Sequence, residues 1–155
     1  MKLGERFQQS QGAPVELDGQ LVHMLYELPP VEAPASLRIA LRHAAARPQA
    51  LNLSARHGTV LVNGQALTEV VLWTDTAPPE VVAELRPAGG RQPMTVRVWN
   101  GWRDSRDVVQ AWIGDAGMLI NPHGDGRVTL RCSDGYDQPS FDDLVVELRT
   151  APVKE

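Results

Sequence analysis

Alternation of hydrophobic and polar residues runs through the second half of the chain and predicts β-strands there. Residues 94–99, 108–113, 127–131 and 143–149 each place apolar side chains at every second position. Successive side chains of a strand point to opposite faces, so a half-buried strand shows this period of two. Repeated helical patterns of the kind found in βαβ units are absent. We therefore predict an all-β, mostly antiparallel protein.

Turn signals separate the alternating runs and predict how the strands connect. They include Asp18-Gly19, Asn63-Gly64, Gly89-Gly90 and Asp134-Gly135. Asp-Gly and Asn-Gly favour two-residue hairpins because both central residues take positive φ. We expect hairpins at 18–19 and 63–64. The spacing of the turns is typical of a two-sheet, jelly-roll-like β-sandwich with roughly eight to ten strands.

The length of 155 residues predicts one β-sandwich domain that spans 1–155. Within it, 1–30 is expected to form an N-terminal hairpin region. The Pro-rich segment 28–35, LPPVEAPA, predicts a surface crossover, because proline cannot donate to a central ladder. Residues 36–47 alternate as a strand does, but their apolar residues also share one helical face. A strand is favoured there, and one short helix near 36–47 is the alternative.

Charge and cysteine content narrow the functional classes. The chain has 13 Arg and two Lys, a formal net charge of −4 and no basic run, which argues against nucleic-acid binding. No stretch approaches the ~20 apolar residues of a membrane-spanning helix, so we expect no membrane insertion. Cys132 is the only cysteine, and the first residues lack the apolar core of a secretory signal. These features predict a soluble, cytoplasmic protein.

Three of the four tryptophans lie between residues 99 and 112 and form the most informative local cluster. If the even-numbered residues of 94–98 face the core, Arg97 and Trp99 face the other way. Gln110 and Trp112 follow on the next strand, which brings two indoles to one face. The predicted binding surface, flanked by loops 102–107 and 134–142, consists of Arg97, Trp99, Trp102, Gln110 and Trp112.

Two functional hypotheses and one structural interpretation fit this surface. Indoles with a guanidinium and an amide can bind the flat face of a sugar or a base. Structurally, Arg97 could instead stack on Trp112 as a cation–π pair under a covering loop. The leading hypothesis is a non-catalytic domain that binds a protein partner, as an inhibitor or immunity protein does. A small-molecule or carbohydrate-binding module is the alternative. No pattern specifies an oligomeric state.

A second cluster is acidic and lies in the loop SDGYDQPSFDD. Its carboxylates belong to Asp134, Asp137, Asp142 and Asp143. Because Ca²⁺ takes six to eight oxygen ligands in irregular geometry, these four are candidate calcium ligands. The structural alternative is a turn at 134–135, with Asp142 or Asp143 accepting backbone N–H bonds. A metal-dependent β-sandwich hydrolase that uses this loop is the second functional alternative.

The run FDDLVVEL, residues 141–148, resembles the terminal strand of many β-sandwich carbohydrate-binding modules, where an Asp pair enters the last strand. The resemblance covers only this run and assigns no family. Catalytic signatures do not appear: the four histidines are dispersed, and HExxH, GxSxG and glycine-rich phosphate-loop motifs are absent. We therefore predict no enzymatic activity, and no cofactor apart from the candidate calcium ion.

Overall fold

Antiparallel strands make up most of the computed structural model, which describes residues 1–136 and 138–153. The elements in these ranges are α1 (Leu3–Gln9), β1 (Val15–Leu17), β2 (Gln20–Val22), β3 (Tyr26–Glu27), β4 (Ala35–Arg42), β5 (Gln49–Arg56), β6 (Gly58–Val62), β7 (Gln65–Leu67), β8 (Glu69–Trp73), β9 (Glu80–Pro87), β10 (Thr95–Arg103), β11 (Val109–Gln110), β12 (Gly117–Gly124), β13 (Arg127–Ser133) and β14 (Leu144–Pro152).

Two antiparallel sheets face each other. The first, called sheet I, has the order β11-β10-β5-β8, and β3 pairs with β10 beside this path. The second, sheet II, has the order β12-β13-β14-β4-β9-β6-β7. The predicted all-β, two-sheet sandwich is confirmed. The described residues form more strands than the expected eight to ten. The additional strands include β3 and β11, which are only two residues long and too short to show alternation in the sequence.

The main core lies between the two sheets and follows the period of two. In β4 the buried residues include Leu37, Ile39 and Leu41, and they pack in one cluster with Leu51 of β5 and Val98 of β10. Each large aliphatic side chain removed from water contributes roughly 1.5–3 kcal/mol to folding. The outward residues of the same strands are thereby fixed on the two outer faces of the sandwich.

Buried polar groups also join the sheets at one end of the core. The Asn100 amide of sheet I donates to the carbonyl of Ser133 in sheet II at 3.0 Å. Beside it, Gln49 Nε2 donates to Asp134 Oδ2 at 2.9 Å. Such bonds are required because an unpaired buried polar group costs about 1–3 kcal/mol. They fix the start of β5 against the end of β13.

Both predicted hairpins are confirmed. Asp18 and Gly19, with φ of 51° and 80°, connect β1 to β2, and Asn63 and Gly64, with φ of 51° and 77°, connect β6 to β7. Two successive positive φ values match the right-handed twist of the flanking strands. The β1–β2 hairpin forms a small sheet of its own within the predicted N-terminal region 1–30.

The short helix of the described structure is not at 36–47, where the alternative interpretation of the sequence placed it. Strand β4 occupies Ala35–Arg42, because β14 and β9 hydrogen-bond along its two edges. The helix is α1, which buries Leu3 and Phe7 four residues apart. These side chains pack with Val15 and Val22 in a second, smaller hydrophobic cluster. Seven residues with two apolar positions are too few for a periodic signal in the sequence.

The Pro-rich segment 28–35 extends along β10, with some residues exposed and others packed in the core. Pro29 and Pro30 are exposed, whereas Leu28 and Val31 are buried. The Leu28 N–H donates to the carbonyl of Val96 at 2.9 Å, and the Val31 N–H donates to that of Met94 at 2.9 Å. The prolines therefore occupy positions that need no ladder donor. The assignment of 1–155 to one domain stays a prediction.

Candidate functional site

Trp99 and Trp112 contact each other on the outer face of sheet I, as predicted. Their ring centroids are 5.0 Å apart and the ring planes meet at 28°, so the two indoles are stacked. Trp99 is half-buried and packs against the main core, while Trp112 is 39% exposed. The stack therefore joins one indole anchored in the core to one that is open to solvent.

The predicted strand through 108–113 is much shorter in the structure. Strand β11 covers only Val109–Gln110, because Trp112 adopts a left-handed backbone with φ of 61°. A bulky residue rarely takes this conformation, and holding it costs on the order of 1–3 kcal/mol. Backbone strain of this kind concentrates at functional sites. The strained residue is also the more exposed of the two stacked tryptophans.

The N-terminal segment holds Trp112 in place. Trp112 Nε1 donates to the carbonyl of Met24 at 3.0 Å. Further along the same loop, the Gly4 N–H donates to the carbonyl of Gly114 at 2.7 Å, and the Leu3 N–H donates to Asp115 Oδ1 at 3.1 Å. Helix α1 thus fixes the loop that presents the exposed indole.

Beside the tryptophan stack lies a groove of about 170 Å³, which we call the Trp groove. Strand register explains its lining: Thr95 pairs with Arg56, and Arg97 pairs with Ser54, on the outward face of β10 and β5. The residues that line it are Leu25, Ser54, Arg56, Thr95, Arg97, Trp99 and Trp112. It therefore combines an indole wall with two hydroxyl groups and two guanidinium groups.

The two arginines of the Trp groove differ in their partners. Arg97 Nε lies 3.2 Å from Glu27 Oε1 of β3, so Arg97 does not form the cation–π pair with Trp112 that the structural interpretation proposed. Arg56 is exposed and has no ion-pair partner among residues 1–136 and 138–153. Arg56 is consequently the guanidinium available to a ligand.

Two residues of the predicted surface lie elsewhere. Trp102 is 1% exposed and its ring packs beside Gly135, so it is a core residue. Gln110 pairs in register with Trp102, and its amide donates to Asp104 Oδ2 at 3.2 Å. The prediction was wrong for Trp102, because it continues the buried, even-numbered face of β10 that also holds Val96 and Val98. Gln110, which pairs with Trp102, lies outside the groove beside the tryptophan stack, and a binding role for it stays a prediction.

Sequence reasoning missed Ser54, Arg56 and Thr95. The alternation in LNLSAR, residues 51–56, marks Asn52, Ser54 and Arg56 as outward-facing. That signal fixes which face they occupy. It does not fix the pairing of β5 with β10, which is the interaction that brings Arg56 beside Thr95.

Of the three described carboxylates of the acidic loop, those of Asp134 and Asp143 are neighbours, whereas that of Asp142 pairs with an arginine. Asp134 is buried and accepts hydrogen bonds from Arg47 Nη1 at 2.6 Å and from the Tyr136 N–H at 3.1 Å. Asp142 is exposed and pairs with Arg131. Asp143 Oδ2 accepts the Asp134 N–H at 3.0 Å, which matches the structural alternative. Asp137 lies outside the described residues.

No group of three His, Cys, Asp or Glu side chains suited to a metal ion occurs within residues 1–136 and 138–153. Calcium binding at the acidic loop stays a prediction. Burial and the neighbouring Asp134 carboxylate raise the pKa of Asp143 to about 6. Burial also raises the pKa of the Cys132 thiol well above its ordinary value, which keeps this lone thiol protonated and unreactive.

A larger groove, of about 500 Å³, lies between the Pro-rich segment and the neighbouring ends of β12, β13 and β14. Its lining is mostly apolar and includes Leu28, Pro122, Val128 and Leu148. Ligand sites usually add a few converging polar groups that fix the orientation of the ligand. Relative to its size, the Trp groove has more polar side chains in its lining than this larger groove does.

Comparisons with known proteins give little further information. No protein-family model matches the chain, and no curated protein matches it. Among solved structures, it is similar to a lectin from Chromobacterium violaceum in complex with alpha-methyl-fucoside, with 12% identity, coverage of 84% of this chain and 97% of that chain, and a TM-score of 0.40. A TM-score below 0.5 is too low for us to transfer either fold or ligand. In the described part of the chain, no helix has the length and apolar character needed to cross a membrane.

Proposed function

We propose that this chain is a non-catalytic binding module that holds one sugar ring in the Trp groove. The observation that carries the proposal is the concave lining, in which the Trp99–Trp112 stack adjoins Ser54, Thr95 and Arg56. A sugar presents an apolar C–H face that packs on an indole and hydroxyl groups that need hydrogen-bond partners. The groove supplies both kinds of contact.

The size of the groove favours a small ligand. Pockets for drug-sized ligands measure about 300–1,000 Å³. At about 170 Å³, the Trp groove accommodates roughly one ring. The strained φ of Trp112, held by Met24 and the loop after it, supports a surface that is preorganised for binding.

A protein partner, the first hypothesis from the sequence, is the second candidate. The observation in its favour is that Val108, Val109 and Ile113, in the same stretch of chain as Trp112, are exposed apolar residues. Contiguous exposed apolar residues mark protein interaction sites when the patch is large enough. Cytoplasmic residence stays a prediction in either case.

Binding to an immobilised panel of monosaccharides and short glycans tests the proposal. We expect at least one sugar to bind, and Trp112→Ala and Arg56→Ala each to weaken that binding about tenfold or more. Arg91→Ala, which removes an exposed arginine outside the groove, is the matched control and should bind normally. Trp99→Ala is unsuitable, because Trp99 packs against the core.

The proposal is wrong if no glycan binds the wild-type chain, or if both groove variants bind as Arg91→Ala does. Capture of one protein from a lysate, lost with Val109→Asp but kept with Arg56→Ala, would replace it by the second candidate. Thermal unfolding of each variant, followed by circular dichroism, confirms that the variant is folded before its binding is interpreted.

A further inference from the structure

Three arginines stand in one row on the outer face of sheet II, on the opposite side of the sandwich from the Trp groove. Arg127 of β13 pairs in register with Arg149 of β14, and Arg149 pairs with Arg38 of β4. All three are exposed, while their neighbours Val128 and Leu148 are buried. With strands about 4.8 Å apart, the row spans roughly 10 Å.

This arrangement works against folding. Like charges directly opposite each other on adjacent strands are destabilising, and the row contains two such pairs. Solubility does not require it, since a surface with mixed charges serves that purpose at no such cost. A row of like charges that persists at this cost favours a ligand of the opposite charge.

Nearby carboxylates neutralise only part of the cluster. Glu80 Oε1 lies 3.1 Å from Arg38 Nη1. Glu147 Oε1 lies 3.4 Å from the Nη2 atom of Arg42, a residue outside the row. Arg127 and Arg149 have no ion-pair partner within residues 1–136 and 138–153. These two guanidinium groups are therefore available for an anion.

The same residues line a groove of about 490 Å³, which we call the Arg groove. Three arginines and two glutamates line it, so it carries an excess positive charge in a chain whose net charge is −4. On one side His123 Nε2 and Thr129 Oγ1 lie 2.7 Å apart and offer further polar contacts. The lining is predominantly polar, unlike that of the groove beside the Pro-rich segment.

We propose that the Arg groove binds a small molecule that carries a phosphate or sulfate group. The guanidinium group is planar and presents parallel N–H donors, so it binds tetrahedral oxyanions in a bidentate manner. Arg127 and Arg149 on neighbouring strands bind the anion from two sides. Arg38, already paired with Glu80, adds to the positive potential. The site is independent of the Trp groove and of the sugar proposed there.

Isothermal titration calorimetry at low salt tests the proposal, with inorganic pyrophosphate and sulfate as separate probes. We expect saturable binding of at least one probe, about tenfold weaker in Arg127→Gln and in Arg149→Gln. The relative affinities of the two probes distinguish phosphate from sulfate as the natural group. Higher salt should weaken binding by screening. Arg131→Gln, on the same face but paired with Asp142, is the matched control and should bind normally.

A second readout separates a binding role from a structural one. Because Arg149 faces Arg127 and Arg38, Arg149→Gln relieves repulsion, and its unfolding midpoint should equal or exceed that of the wild type. Binding is then weakened while stability is kept. The proposal is overturned if neither probe binds, if Arg131→Gln weakens binding as much as Arg127→Gln, or if a single-stranded oligonucleotide binds while both probes do not.

Discussion

Arg47 Nη1 lies 2.6 Å from Oδ2 of Asp134, in an ion pair whose carboxylate side chain is only 2% exposed. The Arg47 guanidinium also lies over the ring of Tyr136, 4.1 Å from its centroid. Gln49 donates to the same carboxylate oxygen from the start of β5. This pair fastens the loop after β13 to the segment that leads into sheet I.

Removal of the buried carboxylate should therefore be costly. Asp134→Ala leaves the Arg47 guanidinium and the Gln49 amide without their acceptor, and we expect a loss of about 3–5 kcal/mol in the free energy of unfolding. Asp142→Ala is the control, since the exposed pair of Asp142 with Arg131 contributes at most about 1 kcal/mol. Urea denaturation measures both. Equal losses would show that the buried pair has no special role.

Asp143 should make stability depend on pH. Its pKa is raised from 3.8 to about 6 in the folded chain, so the folded state binds the proton more tightly than the unfolded state. The resulting stabilisation is present below pH 3.8 and is lost as the pH rises through about 6. Asp143→Asn removes the ionisation but keeps an acceptor for the Asp134 N–H.

Urea denaturation at about pH 4.5 and about pH 7.5 measures this effect as the difference between Asp143→Asn and the wild type. We expect the variant to gain stability relative to the wild type as the pH rises. The pair Asp134 and Arg47 is present in both chains. His23 is also present in both chains. Burial lowers its pKa, which gives a pH dependence of stability opposite to that of Asp143, and this contribution cancels when the two chains are compared. A difference that does not change with pH would contradict the prediction.

Close packing of two loops should make Gly135 intolerant of a side chain. A Cβ added there would lie 2.7 Å from a ring carbon of Trp102 and would also press on the carbonyl of Ile113. We expect Gly135→Ala to lower the free energy of unfolding by about 1–3 kcal/mol, the usual cost of overpacking. Gly90→Ala, with open space around the added Cβ, is the control. Similar thermal midpoints for the two variants would contradict this packing.

The period of two in the sequence was enough to predict an all-β fold, and where it gave the wrong strand length the cause was local. Residues 36–47 fit both a strand and a helix in the sequence, and the pairing of β4 with β14 and β9 makes Ala35–Arg42 a strand. At 108–113, alternation predicts a strand that the left-handed backbone of Trp112 interrupts. The contact of Trp99 with Trp112 was predicted, but the loop held by the N-terminal segment makes it, rather than a continuous strand pair.

By itself, the sequence determined the alternation of inward and outward side chains along strands such as β4 and the first part of β10, together with the hairpins at 18–19 and 63–64. Side-chain alternation and backbone φ preferences are local properties. Only the tertiary structure decided what lies beside what. Arg38, Arg127 and Arg149 are far apart in the chain, and strand register alone places them in one row. Arg56 reaches the tryptophans in the same way. Register depends on the packing of the whole core, which no local pattern contains.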